Sequence, residues 1–298
     1  MNSPLVTIVA ISFNQEKYIV QTLESIKNQS YKNIQLIIAD DGSADQTKLI
    51  IREWIEKNWA GCIFLDHPNN KGVTKNLNST LPFVKGEYYQ FIGCEDIMLP
   101  GKIERQVELL QQNKDFDIVY SDMYRINEYG EMLDGTHYKV NSYNIPQSGF
   151  IYENLIDRCF IATPTALMRS KVLFDLQGDN EKLQVNDYDF WLRASRKFKF
   201  LFDEKPTMQY RILSTSISQR SGCFVFQNGF IMFYMNYDSR IPYKEKFDRR
   251  LLHGIKSLDG LKCKQTTLYS LKGFFKTGLF EFLKYTFKGI PYLFMGHK

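Results

Sequence analysis

The first half of this 298-residue chain predicts an α/β fold, a doubly wound and mostly parallel sheet with flanking helices. Short apolar runs of strand length alternate there with stretches of helical periodicity, which is the pattern of βαβ units. Beyond about Ser214 the alternation stops, and the pattern predicts a helical C-terminal region. We therefore expect an α/β domain over residues 1–215 and a basic, amphipathic helical region over residues 216–298. The composition, 44% hydrophobic and 24% charged, suits a packed core and argues against disorder.

The regular half of the chain alternates predicted strands with predicted helices. The apolar runs of strand length are Leu5–Ser12, Ile34–Ala39, Cys62–Leu65 and Tyr88–Ile92. The helical stretches that follow them are Glu16–Asn28, Asp45–Asn58, Val73–Leu81 and one that begins at Pro100. Because strands joined by helices run parallel, their carboxyl ends meet at one edge, where such sheets bind their ligands.

From about Phe116 the predicted elements become less regular. The strand-like segments are Asp117–Tyr124, Thr163–Met168, Phe198–Phe202 and Thr207–Leu213. A helix is predicted around Asp187–Arg196, and Tyr129–Ser148 is rich in turn residues. Surface loops of this kind carry specificity, so we expect Tyr129–Thr165 and the C-terminal tail to shape one side of a binding site.

Several protein classes are disfavoured by what the sequence lacks. The N-terminal half has neither a G-x-G-x-x-G nor a G-x-x-x-x-G-K-[ST] loop, which disfavours dinucleotide redox chemistry and P-loop phosphoryl transfer. The sequence contains no run of 18 apolar residues, so no transmembrane helix is expected. The N-terminal residues predict a first strand and not a signal peptide. The five cysteines are odd in number, widely spaced and without C-x-x-C. We therefore expect no disulfide framework, no zinc site and a reduced, cytoplasmic setting.

Positive charge is concentrated in the C-terminal tail. From Lys244 to Lys298 there are twelve Lys and Arg against four Asp and Glu, whereas the preceding residues carry 26 against 29. This asymmetry predicts an anionic surface partner for the tail, with no nucleic acid expected for the protein.

The tail also shows amphipathic periodicity when Leu268–Lys288 is placed on one helix. The apolar arc of that helix consists of Leu271, Phe274, Phe275, Leu279, Phe282 and Tyr285. The opposite arc holds Lys272, Lys276, Lys284 and Lys288, interrupted by Phe280, Leu283 and Phe287. An apolar face backed by lysines is typical of a helix that lies on an anionic membrane. The alternative is a helix packed on the catalytic domain with its lysines in solvent.

Two adjacent carboxylates, Asp40 and Asp41, follow the second predicted strand. Like charges at a strand end gain nothing from burial, so such pairs commonly serve a ligand, and they can accept hydrogen bonds from a base or ribose. The alternative is an ordinary Asp-Gly turn before a helix.

A second polar segment, Asn70–Asn76, stands before and within the third predicted helix. Gly72 allows the backbone to approach a ligand, and Lys75 and Asn76 can reach base or phosphate oxygens. The alternative is a solvated loop at the start of a helix.

A third cluster, Glu95 and Asp96, follows the fourth predicted strand. Carboxylate oxygens are the ligands that Mg²⁺ or Mn²⁺ prefers, and such ions can bridge to a pyrophosphate. The alternative is a Glu-Asp pair that caps the next helix.

The order and spacing of these motifs resemble family 2 glycosyltransferases with the GT-A fold. The resemblance runs from about Leu5 to Ser218 and rests on Ser-Phe-Asn, Asp-Asp-Gly-Ser, Asn-x-Gly-x-x-x-Asn and an acidic pair before Leu-Pro-Gly-Lys. It implies transfer of a hexosyl or N-acetylhexosaminyl group from a nucleotide-sugar, a UDP-sugar above all, to a glycan or lipid-linked acceptor. Bacterial surface polysaccharide or lipid-linked glycan synthesis is the implied pathway, at or near the inner face of the cell membrane.

The same resemblance implies a role for individual residues. Phe13 matches the aromatic residue that stacks on uracil, Asp40 and Asp41 match the acids that hold base and ribose, and Lys75 matches a basic residue near the nucleotide. Glu95 and Asp96 stand where the family's D-x-D-type motif coordinates a metal. Asp187, in Asn-Asp-Tyr-Asp-Phe-Trp, matches the catalytic base, and as a competing or additional role it can cap its helix.

This sequence departs from the family pattern at the metal motif. The D-x-D position reads Gly93-Cys94-Glu95, so its first acid is absent and its last is the longer Glu, which must fold back to hold an ion. Leu213 replaces a histidine that can complete the metal site, and Lys75 lacks the bidentate reach of Arg.

These residues predict a single-displacement mechanism that inverts the anomeric centre. Asp187 takes the acceptor proton, and a Mg²⁺ or Mn²⁺ held by Glu95 and Asp96 stabilises the departing diphosphate. One alternative is a catalytically silent nucleotide-sugar-binding or scaffold subunit. The other is a sugar nucleotidylyltransferase, which would need a Gly-rich loop that Ile11–Tyr18 does not contain.

Overall fold

The computed structural model describes residues 3–141, 148–184, 187–214 and 222–294. The chain divides into two compact units, Met1–Tyr152 with Cys159–Leu213 and Glu153–Arg158 with Ser214–Lys298. Among the described residues, no helix combines the length and the apolar character needed to cross a bilayer.

The predicted alternation of strands and helices is present in the first unit. Its opening strands are β1 (Val6–Ser12), β2 (Ile34–Asp40), β3 (Ile63–Asp66), β4 (Tyr88–Gly93) and the short β5 (Ile97–Met98). The helices between and after them are α1 (Ile19–Lys27), α2 (Thr47–Asn58), α3 (Val73–Asn78) and α4 (Lys102–Gln112). The strands β1 to β4 end within one residue of the predicted apolar runs. The runs of β1, β2 and β4 are largely buried in the sheet, and that of the edge strand β3 is half-buried.

The later elements differ more from prediction. The strands are β6 (Ile118–Ser121), β7 (Tyr124–Ile126), β8 (Met132–Thr136), β9 (Leu167–Arg169), β10 (Phe200–Asp203) and β11 (Met208–Arg211). The helices are α5 (His137–Asn141), α6 (Tyr152–Asp157), α7 (Ser170–Asp175) and α8 (Asp187–Ala194).

Two of the predicted strands are wrong as single strands. Asp117–Tyr124 is split between β6 and β7, because the buried Asp122 carboxylate accepts the N–H groups of Met123 and Tyr138 and turns the chain. Thr163–Met168 begins with a 3-10 turn at Thr163–Thr165, since Pro164 has no N–H for a strand ladder. The segment predicted as turn-rich contains β8 and α5.

The larger sheet has the strand order β10-β6-β9-β4-β1-β2-β3. Strand β1 is parallel to β2 and to β4, and β9 is the antiparallel strand between β4 and β6. The register sets Ser12 beside Asp40 and Ile11 beside Gly93. The ends of β1, β2 and β4, each followed by a polar motif, therefore lie together at one edge. A smaller sheet has the order β5-β11-β7-β8.

The second unit is helical, as predicted for the C-terminal region. Its helices are α9 (Cys223–Met235), α10 (Tyr243–Gly260), α11 (Thr266–Thr277) and α12 (Glu281–Gly289), followed by a 3-10 turn at Ile290–Phe294. A disulfide joins Cys223 at the start of α9 to Cys263 just after α10. The expectation that the cysteines form no disulfide is therefore wrong for this pair. Antiparallel packing of α9 and α10 brings the two thiols together across 40 residues, which sequence spacing does not reveal.

The prediction of one helix over Leu268–Lys288 is also wrong. Gly278 adopts a left-handed conformation (φ 77°) and ends α11, after which α12 packs back on α11. Phe282 is buried against Gly273, where a Cβ would collide with its ring. Phe282 and Tyr285 of the predicted apolar arc therefore pack inside this unit, whereas Phe275 of that arc is exposed, as are the interrupting Phe280 and Phe287.

Candidate active site

The loop after β1 is fastened to the loop after β2 by hydrogen bonds. The N–H of Asn14 donates to Ser43 Oγ at 2.8 Å, and the N–H of Ala44 donates to Asn14 Oδ1 at 2.9 Å. Asn14 has a positive φ of 54°, which asparagine tolerates better than most residues. The neighbouring Phe13 side chain is 44% exposed at this edge, so its ring is accessible to a ligand.

Asp40 is fully buried at the end of β2, and its carboxylate is already hydrogen-bonded. Ser12 Oγ donates to Asp40 Oδ2 at 2.8 Å, and the Ser43 N–H donates to Asp40 Oδ1 at 2.8 Å. These bonds hold the ends of β1 and β2 together. Asp40 is thus placed at the predicted edge, where it shapes the surrounding backbone.

Asp41 connects the first polar motif to the second. Its carboxylate accepts the N–H groups of Lys71 at 2.7 Å and Gly72 at 2.9 Å. The intervening Gly42 has φ 76°, and a Cβ there would lie 2.6 Å from the carbonyl carbon of Asn69. Only glycine fits this close approach of two loops, so the Asp-Asp-Gly-Ser and Asn-x-Gly motifs form one structure.

Lys75 and Asn76 are consecutive residues of the short helix α3 and differ in exposure. Lys75 is exposed, as a contact to a ligand phosphate or base would require. Asn76 is buried, and its amide donates to the Ala39 carbonyl at 3.0 Å, one residue before Asp40. Within the described part of the chain its Oδ1 has no hydrogen-bond partner.

Glu95 folds back over Gly93, as expected for the longer acid. A Cβ on Gly93 would lie 2.8 Å from Glu95 Oε2, so the carboxylate fills the space that a side chain at residue 93 would need. Gln15 Nε2 donates to the same oxygen at 3.3 Å. Burial raises the pKa of the Glu95 carboxyl above its ordinary value.

Asp96 is buried and tied to the second sheet. Its Oδ1 accepts the N–H of Arg211 at 2.9 Å, which joins the end of β4 to β11. Burial, and then the neighbouring Glu95 charge, raises the pKa of Asp96 well above its ordinary value. One of its carboxylate oxygens is therefore committed to the fold.

Arg211 lies beside Glu95 and Asp96 and belongs to none of the sequence motifs described above. Its Nε donates to the Glu95 carbonyl at 2.9 Å, and Nη2 donates to Gln21 Oε1 at 2.6 Å. The guanidinium lies 4.6 Å from the centroid of the Tyr18 ring. A buried guanidinium needs hydrogen-bond partners. An arginine at the end of an apolar strand pattern is therefore the sequence signal that could have identified this residue.

Glu95 and Asp96 suit a divalent cation that a bound ligand coordinates as well. The described residues contain no group of three or more His, Cys, Asp or Glu side chains that could hold a metal ion. Mg²⁺ is commonly held by one or two carboxylates together with substrate phosphates, and Glu95 with one oxygen of Asp96 meets that requirement.

Asp187 is the first residue of α8, and its Oδ1 accepts the N–H of Tyr188 at 2.8 Å. Burial raises the pKa of this carboxyl above its ordinary value, and the Asp187 charge adds to the burial that raises the pKa of the Cys159 thiol. Asn186, the first residue of the predicted motif, lies outside the described residues. Thr74 Oγ1 donates to the Leu183 carbonyl at 2.9 Å, which ties α3 to the segment before α8.

Comparison with known proteins identifies the family. Residues 7–175 match the family described as glycosyl transferase family 2, which is more than half of the chain. The chain belongs to glycosyl transferase family 2. An uncharacterized glycosyltransferase of Methanocaldococcus jannaschii is 30% identical over 215 residues, covering 71% of this chain and 72% of that protein. One from Rickettsia typhi is 29% identical over 241 residues, covering 77% and 72%.

Solved structures confirm the GT-A fold of this glycosyltransferase. The Staphylococcus aureus TarS fragment 1–349 in complex with UDP has a TM-score of 0.60 at 16% identity, covering 97% of this chain and 91% of that one. The mannosyltransferase PcManGT of Pyrobaculum calidifontis, in complex with GDP-Man and Mn²⁺, has a TM-score of 0.62 at 12% identity, covering 98% and 86%.

Proposed function

We propose that this family 2 glycosyltransferase transfers a hexosyl or N-acetylhexosaminyl group from a UDP-sugar to an acceptor hydroxyl with inversion. The observation that carries the proposal is the convergence of three polar motifs at the ends of β1, β2 and β4, joined through Asp41 and Gln15. The UDP and UDP-GlcNAc complexes of TarS support a uridine donor.

In the proposed reaction, each residue of the site has one task. Phe13 stacks on the base, while Asp40, Asp41, Lys75 and Asn76 form and line the nucleotide pocket. Asp187 accepts the proton of the attacking hydroxyl, for which its raised pKa suits it.

A divalent cation is part of the proposal. Glu95 and Asp96 would hold Mg²⁺ or Mn²⁺, and the Mn²⁺ complex of PcManGT supports this assignment. When bound, the ion supplies positive charge that stabilises the departing diphosphate.

A panel of nucleotide sugars tests the proposal. The full chain is incubated with UDP-, GDP- and dTDP-sugars in Mn²⁺, Mg²⁺ or EDTA, and thermal unfolding and donor hydrolysis are measured. We expect a UDP-sugar to raise the melting temperature and to be hydrolysed slowly in Mn²⁺. No stabilisation by any UDP-sugar would contradict the donor assignment. Stabilisation by a UDP-sugar without hydrolysis, and without transfer when acceptor hydroxyl compounds are added, would instead identify a silent binding subunit.

We further propose that the helical unit binds an anionic membrane surface that carries a lipid-linked acceptor of bacterial glycan synthesis. Phe280, Phe287 and Phe294 are 77%, 70% and 84% exposed and follow one another at intervals of seven residues. Exposed aromatic groups of this extent mark interaction surfaces. Lys284 and Lys288 belong to the same helix, α12, as Phe287. Their positive charge favours an anionic partner. We therefore expect the protein at the inner face of the cell membrane.

A further inference from the structure

The Gln15 side chain lies beside Glu95 but has no role in the motifs considered so far. Its Nε2 is 3.3 Å from Glu95 Oε2. Its Oε1 is buried and has no hydrogen-bond partner among the residues that the structure describes. Buried amide oxygens are nearly always paired in native proteins, so this atom calls for a donor or a cation.

The backbone holds Gln15 in place without help from its side chain. The N–H of Gln15 donates to Thr47 Oγ1 at 2.8 Å, and the N–H of Glu16 donates to Asp45 Oδ2 at 3.2 Å. With the bond between Asn14 and Ser43, three successive residues are fastened to the loop after β2. The carboxamide of Gln15 is therefore presented at Glu95 by a fixed loop, and it is not needed to build that loop.

The surroundings of Glu95 explain why a further ligand of the cation would be an uncharged side chain from the loop after β1. The Glu95 carboxylate occupies the position that a side chain on Gly93 would take, so no second acid can stand there. Asp96 offers one oxygen, since the other accepts the Arg211 N–H. Among the described residues, Gln15 is the one whose side chain is within hydrogen-bond distance of the Glu95 carboxylate.

We propose that the Gln15 amide oxygen is a ligand, with Glu95, of the divalent cation in the donor site, the carboxamide turning so that its oxygen takes the place that its nitrogen has beside Glu95 Oε2. The inference rests on the proposed function and adds to it a residue that the acidic motif does not contain. Carboxylate and amide oxygens are both hard ligands of the kind that Mg²⁺ and Mn²⁺ prefer. In this chain a neutral carboxamide compensates for the acid missing at Gly93.

The test measures Mn²⁺ binding to the full chain by electron paramagnetic resonance, with and without UDP. Gln15→Leu removes both polar atoms, whereas Gln15→Glu keeps an oxygen and adds charge. Gln111→Leu, at an exposed position on α4, is the matched control. We expect Gln15→Leu to weaken Mn²⁺ binding about tenfold or more, as loss of a residue that supports a metal site does, and the control to match wild type.

Thermal unfolding provides a readout that does not depend on activity. Gln15→Leu removes an unpaired buried oxygen but also the Nε2 donor to Glu95, so without ligands the two effects offset and its melting temperature should stay close to that of wild type. Gln15→Glu sets a second carboxylate beside Glu95, so it should melt lower in EDTA and gain more from Mn²⁺ than wild type does. A merely structural glutamine would give the opposite pattern, with Gln15→Leu destabilised in EDTA and Mn²⁺ effects unchanged.

The inference is overturned if Gln15→Leu binds Mn²⁺ as wild type does, or if wild type binds no Mn²⁺ with UDP present. The proposed function fails separately. In that case Mn²⁺ binding still depends on Gln15, while no UDP-sugar is bound or turned over.

Discussion

Among single residues, Asp187 is the one on which the proposed transfer depends most. Asp187→Asn keeps the size of the side chain and can still accept the Tyr188 N–H, but it cannot take a proton from the acceptor. We expect transfer to fall by ~10²–10⁴-fold with UDP affinity nearly unchanged, as loss of a general base requires. Initial rates and calorimetry measure the two quantities, and Asp175→Asn, an exposed acid on α7, is the control. Wild-type turnover in Asp187→Asn would reduce Asp187 to a helix cap.

The pH dependence of transfer should report the same carboxyl. Burial raises the pKa of Asp187 above that of a solvated aspartate, and a general base works only when it is deprotonated. The transfer rate should therefore fall with decreasing pH through this raised pKa, at higher pH than a solvated carboxyl would give. In Asp187→Asn the residual rate should lose that acidic limb. A limb that persists unchanged in the variant would assign it to another group.

Sequence motifs located the candidate residues at the ends of their strands but did not predict their hydrogen bonds. Asp40 and Asp41 were placed correctly at the end of β2, because an apolar run followed by two acids marks a strand end. That Asp40 bonds to Ser12 while Asp41 reaches Gly72 depends on how two loops meet, which no local pattern contains. Arg211 was overlooked for the same reason.

At the scale of elements, the end of β4 couples Gly93 to Glu95. Gly93→Ala should displace the Glu95 carboxylate, since the new Cβ would lie 2.8 Å from Oε2. We expect UDP affinity in Mn²⁺ to fall by about tenfold, with little change in EDTA. In a Glu95→Asp background the shorter acid leaves room, so the same Gly93→Ala should cost little. Calorimetry on the four proteins gives the coupling energy, and additive effects would contradict this account.

Elements were predictable where burial alone decides the structure. The apolar runs of β1, β2 and β4 are largely buried, and the predicted ends agree with the structure to within one residue. Prediction failed where one residue redirects the chain. The Asp122 carboxylate separates β6 from β7, and Gly278 ends α11 in the middle of a stretch that a helical projection treats as continuous.

At the scale of the whole molecule, the helical unit carries its own cross-link. Replacing Cys223 and Cys263 with Ser should lower the unfolding free energy of this unit by about 2–4 kcal/mol, given a loop of 40 residues. Urea denaturation followed by circular dichroism, with and without reductant, measures the change. Cys62→Ser, at a free and half-buried thiol, is the control. Identical denaturation curves for wild type with and without reductant would contradict a stabilising disulfide. UDP affinity should not change, because the nucleotide motifs belong to the other unit.

Phe280 and Phe287, two exposed aromatic residues that the helical projection placed outside its apolar arc, make the membrane proposal testable. Phe280→Ser with Phe287→Ser removes two insertable rings without touching the buried Phe282. Lys284→Gln removes a charge worth ~1 kcal/mol near an anionic surface, and Lys288→Gln removes a second one, which Asp259 partly neutralises at 3.4 Å. We expect wild type to co-sediment with vesicles rich in anionic lipid at low salt, and both double variants to bind less. High salt should weaken wild-type binding but have little effect on what remains of the Lys variant's binding. Phe174→Ser, at an exposed position on α7, should bind as wild type does. The membrane proposal is contradicted if wild type stays in the supernatant and the Phe double variant differs from it only in oligomeric state. In that case the exposed rings contact a second copy of the chain and not a lipid surface.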